Sequence, residues 1–276
     1  MNTTLKRSLA GMVFLAVMVG GLLWNVGSFA ALMLFAGIGM LREFFRMTVG
    51  KRVPWSRAAA YSVFLLSFLI LLVRNIPSRF PCPPALAWLL PVWILLEMLM
   101  VFRHADFKDN AYILAGLLYI GLPVALSPFV VFGGGEYSGI LMLAFFILIW
   151  ASDTGAYCFG MLLGQKLWPA KLCPEISPKK SWAGAVGGML SSLAAAWVLA
   201  RVGWLPFPMV HVLLLAALLN VAGVFGDLFE SLWKRQFGVK DSGRILPGHG
   251  GLLDRFDSSL FASPVAYVYL LLNGLL

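Results

Sequence analysis

Four short stretches carry the residues that could do chemistry. "GDLFESLWKRQFG" sets Asp227, Glu230, Ser231 and Lys234 at i, i+3, i+4 and i+7, with Arg235 beside them. On a helix these positions share one face. "KDSGRILPGHGGLLDRFDS", residues 240–258, holds Lys240, Asp241, His249, Asp254, Arg255 and Asp257. Asp254 and Asp257 lie three apart where a helix should begin, behind Gly248, Gly250 and Gly251. Glycines there let backbone N–H groups approach an anion, and a helix N-terminus adds partial positive charge. "ISPKKSWAGAVGG" places Ser177, Lys179 and Lys180 before a Gly-rich apolar run, with Ser181 as the candidate helix cap. "FFILIWASDTGAYCFGMLLG" sets Asp153 inside an apolar run, near Ser152, Thr154, Gly155 and Tyr157. An ionisable side chain at membrane depth is costly, which marks Asp153 as functional and its span as one that opens into a polar pocket.

Carboxylates alone would repel a phosphate, and cations alone would bind it without chemistry. Together they suit a magnesium–nucleotide complex, with carboxylates on the metal and Lys or Arg on phosphate oxygens. Magnesium takes one or two protein carboxylates and completes its shell with water and substrate phosphate. Nucleotidyl transfer asks a protein for positioning and charge stabilisation rather than covalent help. The residues therefore point to metal-dependent phosphate chemistry at a membrane face. Plainer accounts exist for each piece: an amphipathic surface helix with internal ion pairs, acids in a first helical turn, and a basic loop that attracts anionic head groups. Glu97, in "VWILLEMLMV", reads as a neutral acid bonded to a neighbouring helix. The nearest string to a Walker A loop, "GMLLGQK", is one residue short and lacks the Ser or Thr.

The elements that must position these groups are membrane helices. The chain has 276 residues, 61% hydrophobic and only 12% charged, against about 25% charged in a soluble domain. Nine apolar spans are expected, at 8–24, 26–41, 58–73, 84–102, 111–132, 138–162, 183–200, 204–225 and 258–275, the second and third of them short. The first two could form a tight helical hairpin around Asn25–Gly27. Backbone groups in lipid must pair within a segment, so the fold class is an all-α polytopic membrane protein. With the amino terminus in the cytoplasm, 18 Lys and Arg fall on the cytoplasmic side and 3 on the other, which sends the carboxyl terminus outside. Lys6 and Arg7 before the first span, and Ser28-Phe29-Ala30 after it, also allow a cleaved signal peptide. Cys82, Cys158 and Cys173 show no paired spacing and read as spectators. Residues 1–135 are expected to be structural, lipid-facing helices, and residues 136–276 the catalytic region with cytoplasmic loops.

"SLWKRQFGVKDSGRILPGHGGLLDRFDS", residues 231–258, closely resembles the signature of phosphatidate cytidylyltransferases, also called CDP-diacylglycerol synthases. "SDTGAYCFG" and "ISPKKSWAGAVGG" resemble two further family blocks in the same order. One position departs: Ala183 stands where the block "SPKKTWEG" usually carries Glu or Gln. The resemblance implies a membrane enzyme that joins CTP to phosphatidic acid, with one or two Mg2+ ions, giving CDP-diacylglycerol and pyrophosphate. It implies metal ligands at Asp227 and Asp254. Lys234, Arg235 and Asp257 join them as catalytic candidates. Asp153, Tyr157, Ser177, Lys179, Lys180, Ser231, Lys240, Asp241, His249 and Arg255 are candidate substrate contacts. The expected partners are CTP, phosphatidic acid and membrane lipids, with no nucleic acid and with a homodimer allowed. The expected location is a plasma or inner membrane, with the active site on the cytoplasmic face. Three rival readings stay open: a CTP-dependent enzyme acting on a polyprenol or an ether lipid, an ion-coupled transporter using Asp153 and Glu97, and a non-catalytic scaffold with a degenerate site, for which Ala183 would argue.

Overall fold

The structure, a computed structural model, describes residues 3–76, 93–96, 98, 106–164, 168–243, 245 and 250–276, with side chains from residue 8 onward. Cys82, Glu97, His249 and most of the expected span 84–102 lie outside the described residues. The helices are α1 (Thr3–Leu23), α2 (Val26–Thr48), α3 (Pro54–Asn75), α4 (Phe107–Val131), α5 (Ile140–Leu162), α6 (Trp182–Arg201), α7 (Met209–Gln236) and α8 (Leu253–Leu272). Among the described residues, α2 to α7 are long and apolar enough to cross a membrane, six helices of that kind. The chain is a mostly helical membrane protein.

Local chemistry explains where the helices break. Asn25 Oδ1 accepts from Ser28 N at 2.9 Å, and Ser28 Oγ accepts from Asn25 N at 3.0 Å. This reciprocal capping box ends the α1 run and starts α2, at the hairpin position the sequence suggested. The expected short second and third spans are corrected: α2 and α3 run 23 and 22 residues. Hydropathy stops at Arg42, but a helix continues through polar residues once its backbone leaves lipid. Pro54 then fits the first turn of α3, where its missing N–H costs nothing. Inside α4 a π-helical turn at Leu117–Gly121 precedes Pro123. Proline cannot donate to the helical ladder and clashes with the preceding turn, and the wider π turn absorbs that conflict.

One expectation of a purely helical chain needs amendment. Residues 171–181, read from the sequence as a basic loop, form a small antiparallel hairpin. Its strands are β1 (Lys171–Cys173) and β2 (Ser177–Ser181), with Lys171 opposite Ser181 and Cys173 opposite Ser177. The strands are too short, and too rich in Lys with one Pro, to show a two-residue alternation.

The chain divides into two compact units. The first comprises Met1–Gly139 and Val239–Arg255, and the second Ile140–Gly238 and Phe256–Leu276. In the first, Phe29, Phe44, Phe45, Phe64 and Phe68 form a buried aromatic core. Gly37 of α2 lets the Phe64 ring press against the backbone; a Cβ there would overlap it. Arg52, after α2, forks onto Asp109 of α4 at 3.1 and 2.7 Å, and this pairing raises the guanidinium above its ordinary value.

In the second unit, α5 and α6 pack antiparallel through small residues. A Cβ at Gly184 would come 2.8 Å from Ala156 O, and one at Gly188 would come 2.9 Å from Ser152 O. Side chains of one methyl group or less let two backbones meet closely, and dispersion then replaces the hydrophobic drive that lipid cannot supply. Asn220 Nδ2 of α7 donates to Ser152 Oγ of α5 at 2.5 Å in the buried interior, tying α7 to this pair.

Candidate active site

The close α5–α6 packing, the hairpin and α7 leave a cavity of about 300 Å³ in the second unit. Helix α5 contributes Ser152, Asp153, Ala156, Tyr157 and Gly160. The hairpin gives Leu172, Lys179, Lys180 and Ser181. Gly184 and Ala185 come from α6, Val224 and Asp227 from α7, and Ser258 from α8. Four stretches separated in sequence thus line one space. Ser181 fixes the hairpin to α6 by capping it, its Oγ accepting from Gly184 N at 3.1 Å, and Trp182 N donates to Ala170 O at 3.0 Å. The cap anticipated at Ser181 is present, and it sets the two lysines immediately before the helix.

Two ion pairs stand at and beside this cavity. Lys180 Nζ stands 2.7 Å from Asp227 Oδ2, with the two side chains 24% and 33% exposed. Ser231 Oγ, one turn along α7, donates to Asp227 Oδ1 at 3.3 Å. Lys234 Nζ donates to Glu230 Oε2 at 2.7 Å, and Glu230 is fully buried. The face anticipated for α7 therefore exists, with Ser231 orienting Asp227 and Glu230 holding Lys234. Asp257, at the start of α8, accepts from Ser258 N at 2.7 Å and lies within electrostatic reach of Asp227, Asp153 and Lys234. Gly226 and Gly223 let α8 approach α7 here: a Cβ at Gly226 would crowd Asp257 O and Phe261.

Asp254 belongs to the first unit. Its Oδ2 accepts from Ser242 N at 3.0 Å, from Gly251 N at 2.7 Å and lies 3.0 Å from Ser242 Oγ. Two backbone donors, and a hydroxyl whose one proton is shared with a second carboxylate, orient this carboxylate. Gly250 adopts a φ of 84°, a left-handed turn that glycine makes without strain, just ahead of this cluster.

The structure gathers Asp153, Tyr157, Lys179, Lys180 and Asp227 around one cavity, with Asp257 in electrostatic range. Ser177 opens β2 opposite Cys173 and does not line it. Arg235 is exposed in the last turn of α7, and Lys240, Asp241 and Arg255 are exposed in the first unit. Sequence reasoning missed Ser258 and Gly160 on the cavity wall, Asn220 behind it, and Glu43 behind the signature loop. Asn220, a lone amide inside an apolar run, was the one available signal among them.

The profile of the cytidylyltransferase family matches residues 5–273. The chain belongs to this family. A protein of Bacillus subtilis (strain 168) named phosphatidate cytidylyltransferase is 35% identical over 272 residues, covering 96% of this chain and 95% of the relative. Relatives of the same name from Staphylococcus haemolyticus and Staphylococcus aureus (strain COL) are 40% and 42% identical over 182 and 170 residues. Those matches cover 65% and 60% of this chain, and 66% and 61% of the relatives. The family resemblance seen in the three motif blocks thus extends along the chain, which is an enzyme of the cytidylyltransferase family. In this cytidylyltransferase the departing residue Ala183 is buried in the first turn of α6 and does not line the cavity, whereas Ser181 and Gly184 beside it do.

Proposed function

We propose that this protein converts CTP and phosphatidic acid to CDP-diacylglycerol and pyrophosphate at the cytoplasmic face of a bacterial plasma membrane. The observation that carries this reading is the cavity itself. Two lysines, a hydroxyl-bearing aromatic and two carboxylates from separate motif blocks converge there, inside a bundle of lipid-compatible helices. The names of the relatives point the same way.

In the reaction, a phosphate oxygen of phosphatidic acid attacks the α-phosphorus of CTP. The new P–O bond forms as the bond from that phosphorus to the bridging oxygen breaks, and pyrophosphate leaves with the electron pair. The phosphate monoester dianion needs no strong base. Lys180 is held by Asp227 through a part-exposed pair that is worth little on its own. An incoming triphosphate therefore displaces it cheaply, and Lys179 and Lys180 take phosphate oxygens. Lys234, Arg235, Lys240 and Arg255 are further candidates for phosphate, Ser177 and His249 for hydrogen bonds to substrate, and Asp241 for orienting a cation.

The donors present fit Mg2+: hard carboxylate oxygens, half-exposed at Asp227 and pre-oriented at Asp254. Among the described residues no three His, Cys, Asp or Glu form a cage, and Mg2+ prefers few protein ligands, with water and phosphate oxygens completing its shell. Asp227 of the second unit and Asp254 of the first are the carboxylates that would each take Mg2+, as the family resemblance implies. Bound there, it would offset charge on the triphosphate and on the leaving pyrophosphate.

The proposal includes nine membrane spans, a cytoplasmic amino terminus, an outside carboxyl terminus, catalytic machinery concentrated in residues 136–276, and room for a homodimer. The test is pyrophosphate release from CTP by the purified protein in detergent, with and without phosphatidic acid and Mg2+. Release that requires both is the expected result. Release with a polyprenyl phosphate or an ether-linked phosphatidate, and none with diacyl phosphatidate, would reassign the lipid.

A further inference from the structure

Glu43 plays no part in the proposed chemistry, yet α2 buries it, 5% exposed, while Arg42 and Arg46 on the same helix are open. All its described partners lie within the first unit. Its Oε1 accepts from Leu252 N at 3.0 Å and its Oε2 from Leu253 N at 2.8 Å. Ser242 Oγ stands 3.0 Å from both Glu43 Oε2 and Asp254 Oδ2, so one hydroxyl bridges the two carboxylates, and its single proton serves one of them at a time. The first N–H groups of a helix have no partner within it, and a negative charge is favourable there. Glu43 fills that role for α8 from about two hundred residues away in sequence.

The surroundings are shaped for this contact. A Cβ at Gly243 or at Gly251 would overlap the Glu43 carboxylate, and one at Gly39 would come 2.7 Å from Leu252. Three positions therefore do without side chains where the loop and α2 meet. A carboxylate buried without a cation is costly unless donors surround it. Such a contact holds one geometry and resists others.

We propose that Glu43 is a positioning residue for the signature loop, holding the start of α8 and, through Ser242, the orientation of Asp254. Its catalytic consequence rests on the function proposed above. The clasp itself does not.

The test uses full-length Glu43→Gln in detergent micelles, read by amide hydrogen exchange and by steady-state kinetics with CTP and phosphatidic acid. Glutamine keeps the size but turns an NH2 toward a backbone N–H, donor against donor. Exchange across residues 250–254 should accelerate at least tenfold, roughly 1.4 kcal/mol of local opening, while exchange in α5 to α7 stays as in wild type. A merely destabilised protein would exchange faster throughout. The kcat should fall about 10- to 100-fold, the usual cost of removing an orienting partner, with the KM for CTP changed less than threefold. Ser242→Ala, which leaves Glu43 and the backbone donors in place, should show the same pattern more weakly, and it decides the matter should Glu43→Gln not fold. Unchanged exchange at Leu252 and Leu253 would overturn the clasp. Faster local exchange with an unaltered kcat would overturn the positioning role. An inactive wild type would sink the proposed reaction alone, because exchange still reports on the clasp.

Discussion

Replacing Asp227 with Asn separates stability from chemistry at the cavity. The carboxylate pairs with Lys180 at 2.7 Å and accepts weakly from Ser231 at 3.3 Å. Both members of the pair reach solvent, at 24% and 33% exposure, so solvent screens the interaction to at most about 1 kcal/mol. The amide is isosteric and still accepts from Ser231. Asp227→Asn should therefore lower the unfolding free energy by no more than about 1 kcal/mol, visible as a small shift in detergent thermal melts. Turnover should respond on another scale. Removing the carboxylate that would hold a cation against the triphosphate should cost about 2.7–4 kcal/mol, the scale of losing one electrostatic stabiliser, or roughly 10²–10³ in kcat. Pyrophosphate release at saturating CTP, Mg2+ and phosphatidic acid reads this directly. Lys180→Met should also lose activity, and the double variant should lose less than the product of the two single losses, because each removes the partner of the other. Near-normal turnover in Asp227→Asn would refute the assignment. So would an activity loss matched by a comparable loss of folded protein.

Other substitutions probe what builds the cavity. Gly188→Leu should abolish folded, monodisperse protein on detergent size exclusion, since even a Cβ meets Ser152 O at 2.9 Å, while Gly20→Ala, with open space around it, should be tolerated. Asn220→Ala removes the buried bond to Ser152 and should cost about 0.6–2 kcal/mol in an unfolding titration. Ser181→Ala removes the cap of α6 and should cost about 1 kcal/mol, whereas Ser181→Thr keeps the acceptor and should melt like wild type.

What was legible in the sequence was polarity inside oil. Asp153 amid an apolar run signalled a polar pocket, and the spacing of Asp227, Ser231 and Lys234 signalled a single helical face. Both are found, because lipid leaves few other ways to accommodate such groups. The hairpin was hidden because its eleven residues, Lys171 to Ser181, carry Pro and four charges rather than alternation. Glu43 was hidden for a different reason. Flanked by arginines at the end of an apolar run, it has the composition of an ordinary interfacial charge. Only the backbone geometry reveals that it faces two N–H groups more than two hundred residues on. Helices α2, α7 and α8 each outrun their apolar stretch at one end, to Thr48 rather than 41, to Gln236 rather than 225 and back to Leu253 rather than 258, while α7 starts at Met209 rather than 204 and α8 stops at Leu272 rather than 275. Hydropathy records where lipid ends, and hydrogen bonding decides where a helix ends.

That excess length has a consequence for a reaction between a lipid and a water-soluble nucleotide. Helix α7 has 28 residues, about 42 Å at 1.5 Å per residue, whereas the hydrocarbon core is roughly 30 Å thick and takes about 20 residues. With Met209 at one edge of the core, the other edge falls near Leu228. Asp227 then sits at the boundary, and Glu230, Ser231, Lys234 and Arg235 project beyond it on the same rigid rod. The start of α6, packed on α5 through Gly184 and Gly188, and the lysines of β2 line the same cavity as Asp227. A helix that stopped with its hydropathy would have left Asp227 on a fraying end. Continuing the helix for two more turns makes the carboxylate part of a stiff element, as the proposed in-line transfer between two phosphates would require of a group that positions them.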